Sequence, residues 1–350
     1  MFMAFRNQFR RLATAAFAAA GMTLAVAQAA TAAPVRVGYI PVLGSSALFV
    51  VDGEGWAKSA GLDLELVRFT SGPQAIQALV AGRIDAYVAG VLPLLQVKSR
   101  GVDVKVVASG AIEELSVISR GKLADGLDAG KPGGLTKEQL TARIADFTKA
   151  AGRKPKIAAQ PTGSVPDTVL RYWLKAQEGQ DLSSVDIVGI DIDAAQQAFL
   201  AQAVDAAILR EPALTIIKAR VPEARILATG HDLLPGQPGS VLAVVSPNSA
   251  EHAVWSGKLT SLFVKGTNLI AAHPEEAAPF VAKALGGGLM KPAVIEQALK
   301  NSAAQFVSDP EKIIPGVKAL QDFEVQQGVL RSAVPVDDLF DLKMWRQPAP

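Results

Sequence analysis

From Val35 onward, short apolar runs alternate with longer stretches whose apolar residues recur at helical spacing, and glycine separates the two. The runs predict strands at Val35–Tyr39, Leu62–Phe69, Ile84–Val88, Val104–Ala108, Val117–Ser119, Lys156–Ala159, Val185–Ile190, Val204–Leu209, Arg225–Ala228 and Val241–Ser246. Helices between them are predicted to stop at Gly61, Gly82, Gly101, Gly152 and Gly179, where a residue that tolerates positive φ closes the last turn. Strand–helix alternation implies sheets with helices on their faces, an α/β fold. From about Ala250 the pattern turns mostly helical, with Pro274, Pro279, Pro292, Pro310 and Pro315 near the expected helix starts.

The pattern is written twice. SGPQAIQALVAGRIDAYVAG (71–90) and DIDAAQQAFLAQAVDAAILRE (191–211) align at an offset of 120 residues, which puts Ala78 on Ala198, Asp85 on Asp205 and Val88 on Ile208. The segments upstream, 35–61 and 156–179, both read apolar strand, Gly-Ser, amphipathic helix, Gly. A period this long fits a lobe and not a solenoid repeat, and two α/β lobes imply a ligand cleft between them. Residues 121–155 break the alternation. GKLADGLDAGKPGG is a loop by composition, and LTKEQLTARIADFTKAAG predicts an amphipathic helix opened by a Thr136/Gln139 capping box. A surface excursion of the second lobe is expected there, not a third domain.

Composition narrows the setting. The chain has 350 residues and is 49% hydrophobic, much of that alanine, so length favours two domains with good cores. Its long uncharged run, 12–33, follows Arg6, Arg10 and Arg11 and ends in Ala30-Thr31-Ala32. That order reads as a secretory signal peptide over residues 1–32, in preference to a membrane anchor. Arg10-Arg11 suggests twin-arginine export, but Ala13-Thr14 stands where a hydrophobic pair is wanted, which favours ordinary secretion. Losing three arginines from 35 basic residues leaves 32 against 33 acidic, so the mature chain is near neutral, with no basic block for nucleic acid. There is no cysteine, which excludes disulfides, thiolate metal sites, a cysteine nucleophile and a lipid-bearing thiol. His231, His252 and His273 are scattered without ligand spacing, and no P-loop, dinucleotide fingerprint or Gly-x-Ser-x-Gly occurs. No metal, cofactor or catalytic residue is therefore expected.

In open α/β sheets, ligands sit beyond the carboxyl ends of the strands, where the following helices present free N–H groups and partial positive charge. Five such junctions are readable: Gly44-Ser45-Ser46, Thr70-Ser71-Gly72, Gly90-Val91, Thr162-Gly163-Ser164 and Glu211-Pro212. These residues are the candidate ligand-binding set. Ser45, Ser71 and Ser164 read equally as plain N-caps. Asp85 and Asp205 read as local hydrogen-bonders that hold each lobe together. Glu211 either points away as a helix N-terminal charge or meets a donor on the ligand, and Tyr39 either walls the pocket or is core.

The residues 53–90 and REPA (210–213) resemble the nitrate/sulfonate/taurine family of periplasmic substrate-binding proteins of ABC importers. The resemblance rests on Gly61-Leu62-Asp63, Ser71-Gly72, Ala78-Leu79-Val80-Ala81-Gly82, Ile84-Asp85-Ala86, Gly163-Ser164, Val204-Asp205-Ala206, Glu211-Pro212 and the ending DFEVQQGVL at 322–330. Three departures stand out: Leu209 where an aromatic is common, the long 121–155 segment, and Gln202 in place of a glycine. The resemblance implies a two-lobed type II periplasmic binding protein fold with a ligand cleft between the lobes. Lobe one is expected from 34–112 and 250–350, and lobe two from 113–249, with crossings near Glu113–Val117 and Val244–Asn248. It further implies a monomeric periplasmic receptor for a small sulfonate-, nitrate- or taurine-like ligand, partnered by a membrane permease and its ATPase. The alternatives are an enzyme on the same scaffold, of pyrimidine-precursor or menaquinone-pathway type, and a receptor that serves a sensor protein.

Overall fold

A computed structural model describes residues 33–346 apart from 178, 246–248 and 287–290. The expected signal peptide and the outer part of the expected second crossing lie outside the described residues. Ten strands form in chain order: β1 (Val35–Tyr39), β2 (Leu64–Arg68), β3 (Ala86–Gly90), β4 (Val104–Ser109), β5 (Ser116–Ser119), β6 (Lys156–Ala159), β7 (Asp186–Gly189), β8 (Ala206–Leu209), β9 (Arg225–Ala228) and β10 (Ser240–Val245). They build two five-stranded sheets, ordered β2-β1-β3-β10-β4 and β7-β6-β8-β5-β9. The two orders are the same arrangement. In each, one strand runs antiparallel between its neighbours, β10 in the first sheet and β5 in the second. The chain leaves the edge strand of the first sheet to enter the interior of the second, then makes the reverse move from β9 to β10. This is the two-lobed α/β fold of periplasmic binding proteins.

One boundary is corrected. The expected second lobe ran to 249, whereas β10 pairs with β3 and β4, so the chain is back in the first sheet by Ser240. An apolar run such as Val241–Val245 would suit the interior of either sheet, and only its pairing decides. The crossing segments are 110–115 and 234–239, side by side. Ile112 bridges Pro238, Glu113 N–H donates to Gln237 O, and Leu115 N–H donates to the side chain of the fully buried Gln237.

Each of the five stop glycines takes positive φ, from +61° at Gly179 to +87° at Gly101. The Thr136/Gln139 capping box forms and opens the helix Lys137–Ala151. That helix buries Leu140, Ile144 and Phe147 in the same apolar cluster as β6 and β8, so the 121–155 excursion is part of this body. The tail helices Ala250–Ala272, Pro274–Gly286 and Pro292–Ser302 cover the other face of the first sheet. Pro279 lies inside its helix instead of near a start, where Ala277, Ala278, Val281 and Ala282 pack the core on either side of it. The main apolar cluster is continuous from Ile40 and Tyr87 to Val165, Trp173 and Ile208, so the lobes share one core where they meet. No described helix is long and apolar enough to cross a membrane.

Candidate functional site

The carboxyl ends of the central strands of both sheets face a common boundary, and the junctions at 44–46, 90–91, 162–164 and 211–212 meet across it. A Cβ on Gly90, at the end of β3, would sit 2.6 Å from Val165 Cγ2 of the other lobe. Gly163, at φ +82°, has Gln96 Nε2 2.5 Å from where its Cβ would be. A Cβ on Gly44 would overlap Glu114 Oε2 and Ser240 Oγ. The Leu43 N–H donates to Glu211 O across the boundary at 3.2 Å. Glycine at these positions leaves room for neighbouring side chains that a Cβ would displace.

The serines divide. Ser164 is a true N-cap of the helix Val165–Tyr172, its Oγ accepting from Asp167 N–H at 3.4 Å. Ser45 is buried and donates to Ile40 O at 2.9 Å, which fixes its own turn. Ser71 precedes the helix Gly72–Val80 and is buried without a side-chain cap bond. Ser46 Oγ is buried with no hydrogen-bond partner. Thr70 binds Gln74 Oε1 through both its N–H and its hydroxyl, and Thr162 is exposed on its turn. Gly72 packs beneath Tyr87, whose hydroxyl donates to Gly90 O at 2.7 Å. Val91 is fully buried ahead of the helix Leu92–Lys98.

Glu211 is tied to its own helix start. Its carboxylate accepts from Thr215 N–H and from Thr215 Oγ1, both at 2.9 Å, and closes the start of the helix Ala213–Arg220. Burial raises its pKa, against the pull of those bonds and of Lys218. Tyr39 is core, edge-on to Phe49 at 5.1 Å. Asp85 and Asp205 do one job in two places. Each accepts a backbone N–H of the parallel neighbouring strand, from Arg36 of β1 and Lys156 of β6, and each is gripped by a two-pronged guanidinium, from Arg36 and Arg153.

Two residues at the boundary were not in the sequence-derived set. Arg210, the first residue after β8, pairs with Glu114, with side-chain exposures of 3% and 6%. Ser240 Oγ of the first sheet also donates to Glu114, at 3.1 Å. Arg210 Nε is buried without a partner. Burial pushes the Tyr87 phenol far above its ordinary pKa, while the charge of Arg210 pulls it down. The readable signal was Arg210 itself, a cation at the carboxyl end of a central strand; Glu114 carries no local pattern. Beside this pair lies a cavity of about 330 Å³, lined among others by Glu114, Glu211, Lys218, Thr229, Asn301 and Gln305. Elsewhere, His273, Glu275 and Glu276 form an exposed cluster of possible metal ligands at the start of a tail helix.

The fold matches the periplasmic aliphatic sulphonate binding protein of Escherichia coli with a TM-score of 0.67 at 19% identity, over 88% of this chain and 92% of that one. It matches the periplasmic nitrate-binding protein of Synechocystis PCC 6803 with a TM-score of 0.69 at 14% identity, over 90% and 88%. In sequence, a Bacillus subtilis (strain 168) relative named for binding aliphatic sulfonates is 25% identical over 302 residues, 85% of this chain and 82% of that one. The model of the NMT1-like family matches residues 28–286, and the resemblance read from the motifs agrees with it: the chain belongs to the NMT1-like family.

Proposed function

We propose that the protein is a periplasmic solute receptor that closes its two lobes on a small organic anion or zwitterion and hands it, unchanged, to an ABC importer. The observation that carries this reading is the pair of like sheets exchanging one strand each, with glycine-bearing helix starts from both lobes in contact across the boundary. Two crossing segments make a hinge, and a ligand that touches both lobes favours the closed state by contacts available only there. Sulfonate- and nitrate-binding relatives support the anionic class. The reading includes export of residues 1–32 as a signal peptide, a monomeric mature form, no catalysis, and lobes at 34–112 with the tail and at about 113–239.

The test is thermal melting of unfolded-and-refolded mature protein against alkanesulfonates, taurine, nitrate, bicarbonate, aromatic acids and pyrimidines. A ligand at a hundred times its Kd adds about 2.7 kcal/mol. One class that raises the melting point and is recovered unchanged establishes a receptor. Chemical turnover of any compound overturns the reading in favour of an enzyme.

A further inference from the structure

Among the described residues, Arg210–Glu114 is the ion pair in which both side chains are less than a tenth exposed. Such a pair is a poor stability device, because desolvating two charges consumes most of what their attraction returns. Its position suggests another use. Arg210 stands at the carboxyl end of β8, and Glu114 stands on a crossing segment, touching Ser240 and the Gly44 turn of the first lobe. The guanidinium keeps one buried N–H, on Nε, without a partner, and the Ser46 hydroxyl on the facing turn is likewise unpaired. A buried guanidinium with a free Nε–H can seat an oxyanion that accepts two parallel N–H bonds once its resident carboxylate moves off.

We propose that Arg210 holds the anionic head group of the ligand, a carboxylate or sulfonate, and that Glu114 is its resident counter-ion, displaced when the ligand arrives. This rests on the receptor reading and assigns the charge-recognising residue of that site. Glu114 has somewhere to go. It lines the 330 Å³ cavity together with Thr229, Asn301, Gln305, the ammonium-bearing Lys218 and Glu211, whose own carboxylate is tied to Thr215, so that of Glu114 can turn toward the remaining polar groups and solvent while the ligand takes the guanidinium. The exchange keeps the buried cation neutralised throughout, and a neutral ligand gains nothing from it.

Calorimetric titration of the mature protein with ethanesulfonate and acetate, and with ethanol and ethylamine as neutral and cationic controls, tests this. The variants are Glu114→Gln and the charge-free double variant Glu114→Gln/Arg210→Gln, each checked for a cooperative melt. Removing the competitor should tighten anion binding at least tenfold in Glu114→Gln. The same anion should raise the melting point of that variant more than that of the wild type. The double variant, which keeps the site polar but uncharged, should bind anions at least tenfold more weakly than wild type. Equal anion affinity in all three proteins overturns the assignment and leaves a receptor with its anion site elsewhere. Binding of the neutral or cationic control alone overturns it as well and leaves the receptor standing. A protein that binds none of these probes, nor any compound of the wider panel, counts against both.

Discussion

Asp85 and Asp205 show how far a single residue type in a repeat can be trusted. Both were read as local hydrogen-bonders, and both tie a strand end to a guanidinium and a backbone N–H. Burial raises the pKa of Asp85, but the Arg36 side chain and N–H outweigh it and hold the carboxyl below its ordinary range. A group with a depressed folded pKa contributes stability that is complete above its unfolded value near 4 and lost as pH falls through the folded one. Asp85→Asn should therefore cost about 2 kcal/mol at pH 7, and the gap to wild type should narrow below about pH 4. Chemical denaturation at pH 7 and pH 3 checks it; a gap that widens in acid would show that the ion pair is not what Asp85 supplies. Gln202 is the complementary case. It stands where the first repeat has Gly82, and it holds the same left-handed turn at φ +60°, against +65°. A side chain there costs roughly 1–2 kcal/mol, while glycine loses about 0.5–1 in chain entropy. Gln202→Gly should gain about 0.5–1 kcal/mol, a rise of one to a few degrees in Tm by calorimetry. Repeat position betrayed this turn; the residue type alone would not have.

At the scale of elements, local grammar carried most of the fold. Apolar runs flanked by glycine placed all ten strands to within two residues at either end, and the capping box placed the excursion helix, because these signals are complete within a few neighbours. The failures were non-local: β10 was assigned to the wrong lobe, and Glu114 was overlooked, since each acquires its role only from partners more than 90 residues away. The pairing of the helices Val165–Tyr172 and Ile314–Gln326 belongs to the same class. Thr168 Oγ1 donates to Glu324 Oε1 at 2.7 Å, and Glu324 Oε2 and the nearby Asp167 Oδ2 are buried and unpaired. Burial lifts the Glu324 pKa to about 7, with the Asp167 charge adding to it and the Thr168 bond opposing. An acid raised on folding binds its proton more tightly in the native state, so stability falls as pH climbs from the unfolded value near 4.3 toward 7, then levels. Glu324→Gln keeps the acceptor for Thr168 without the ionisation. It should match wild type near pH 4 and exceed it at pH 8 by up to about 3 kcal/mol, read from urea midpoints at the two pH values. A variant less stable than wild type at pH 8 would mean that the carboxylate is compensated in the native state.

For the whole molecule, the question is whether the lobes depend on meeting as closely as they do. Gly90 gives a lever, because its missing Cβ is what allows β3 of the first sheet to lie against Val165 of the second lobe. An added methyl would approach Val165 Cγ2 to 2.6 Å and its Cβ to 3.3 Å, and a β-branched side chain anchored at the first turn of a helix has little freedom to swing aside. Overpacking of this kind costs about 1–3 kcal/mol, and here the relief available is to part the lobes. Gly90→Ala is therefore expected to lower Tm, to enlarge the radius of gyration in solution scattering, and to weaken binding of the cognate ligand about tenfold. Val165→Ala removes the obstructing methyl and leaves only the 3.3 Å approach, so the double variant should recover most of the affinity and the compactness. The rescue separates the two ways the wedge might act. Damage confined to the first lobe would persist in the double variant, whereas a wedge between lobes is undone by trimming the opposite wall. The same logic links this residue to the Arg210–Glu114 pair: both act at the boundary where the strand ends converge. A receptor whose affinity resides in closure must lose it when the fit of that boundary is spoiled or when the Arg210 cation that meets the ligand is removed.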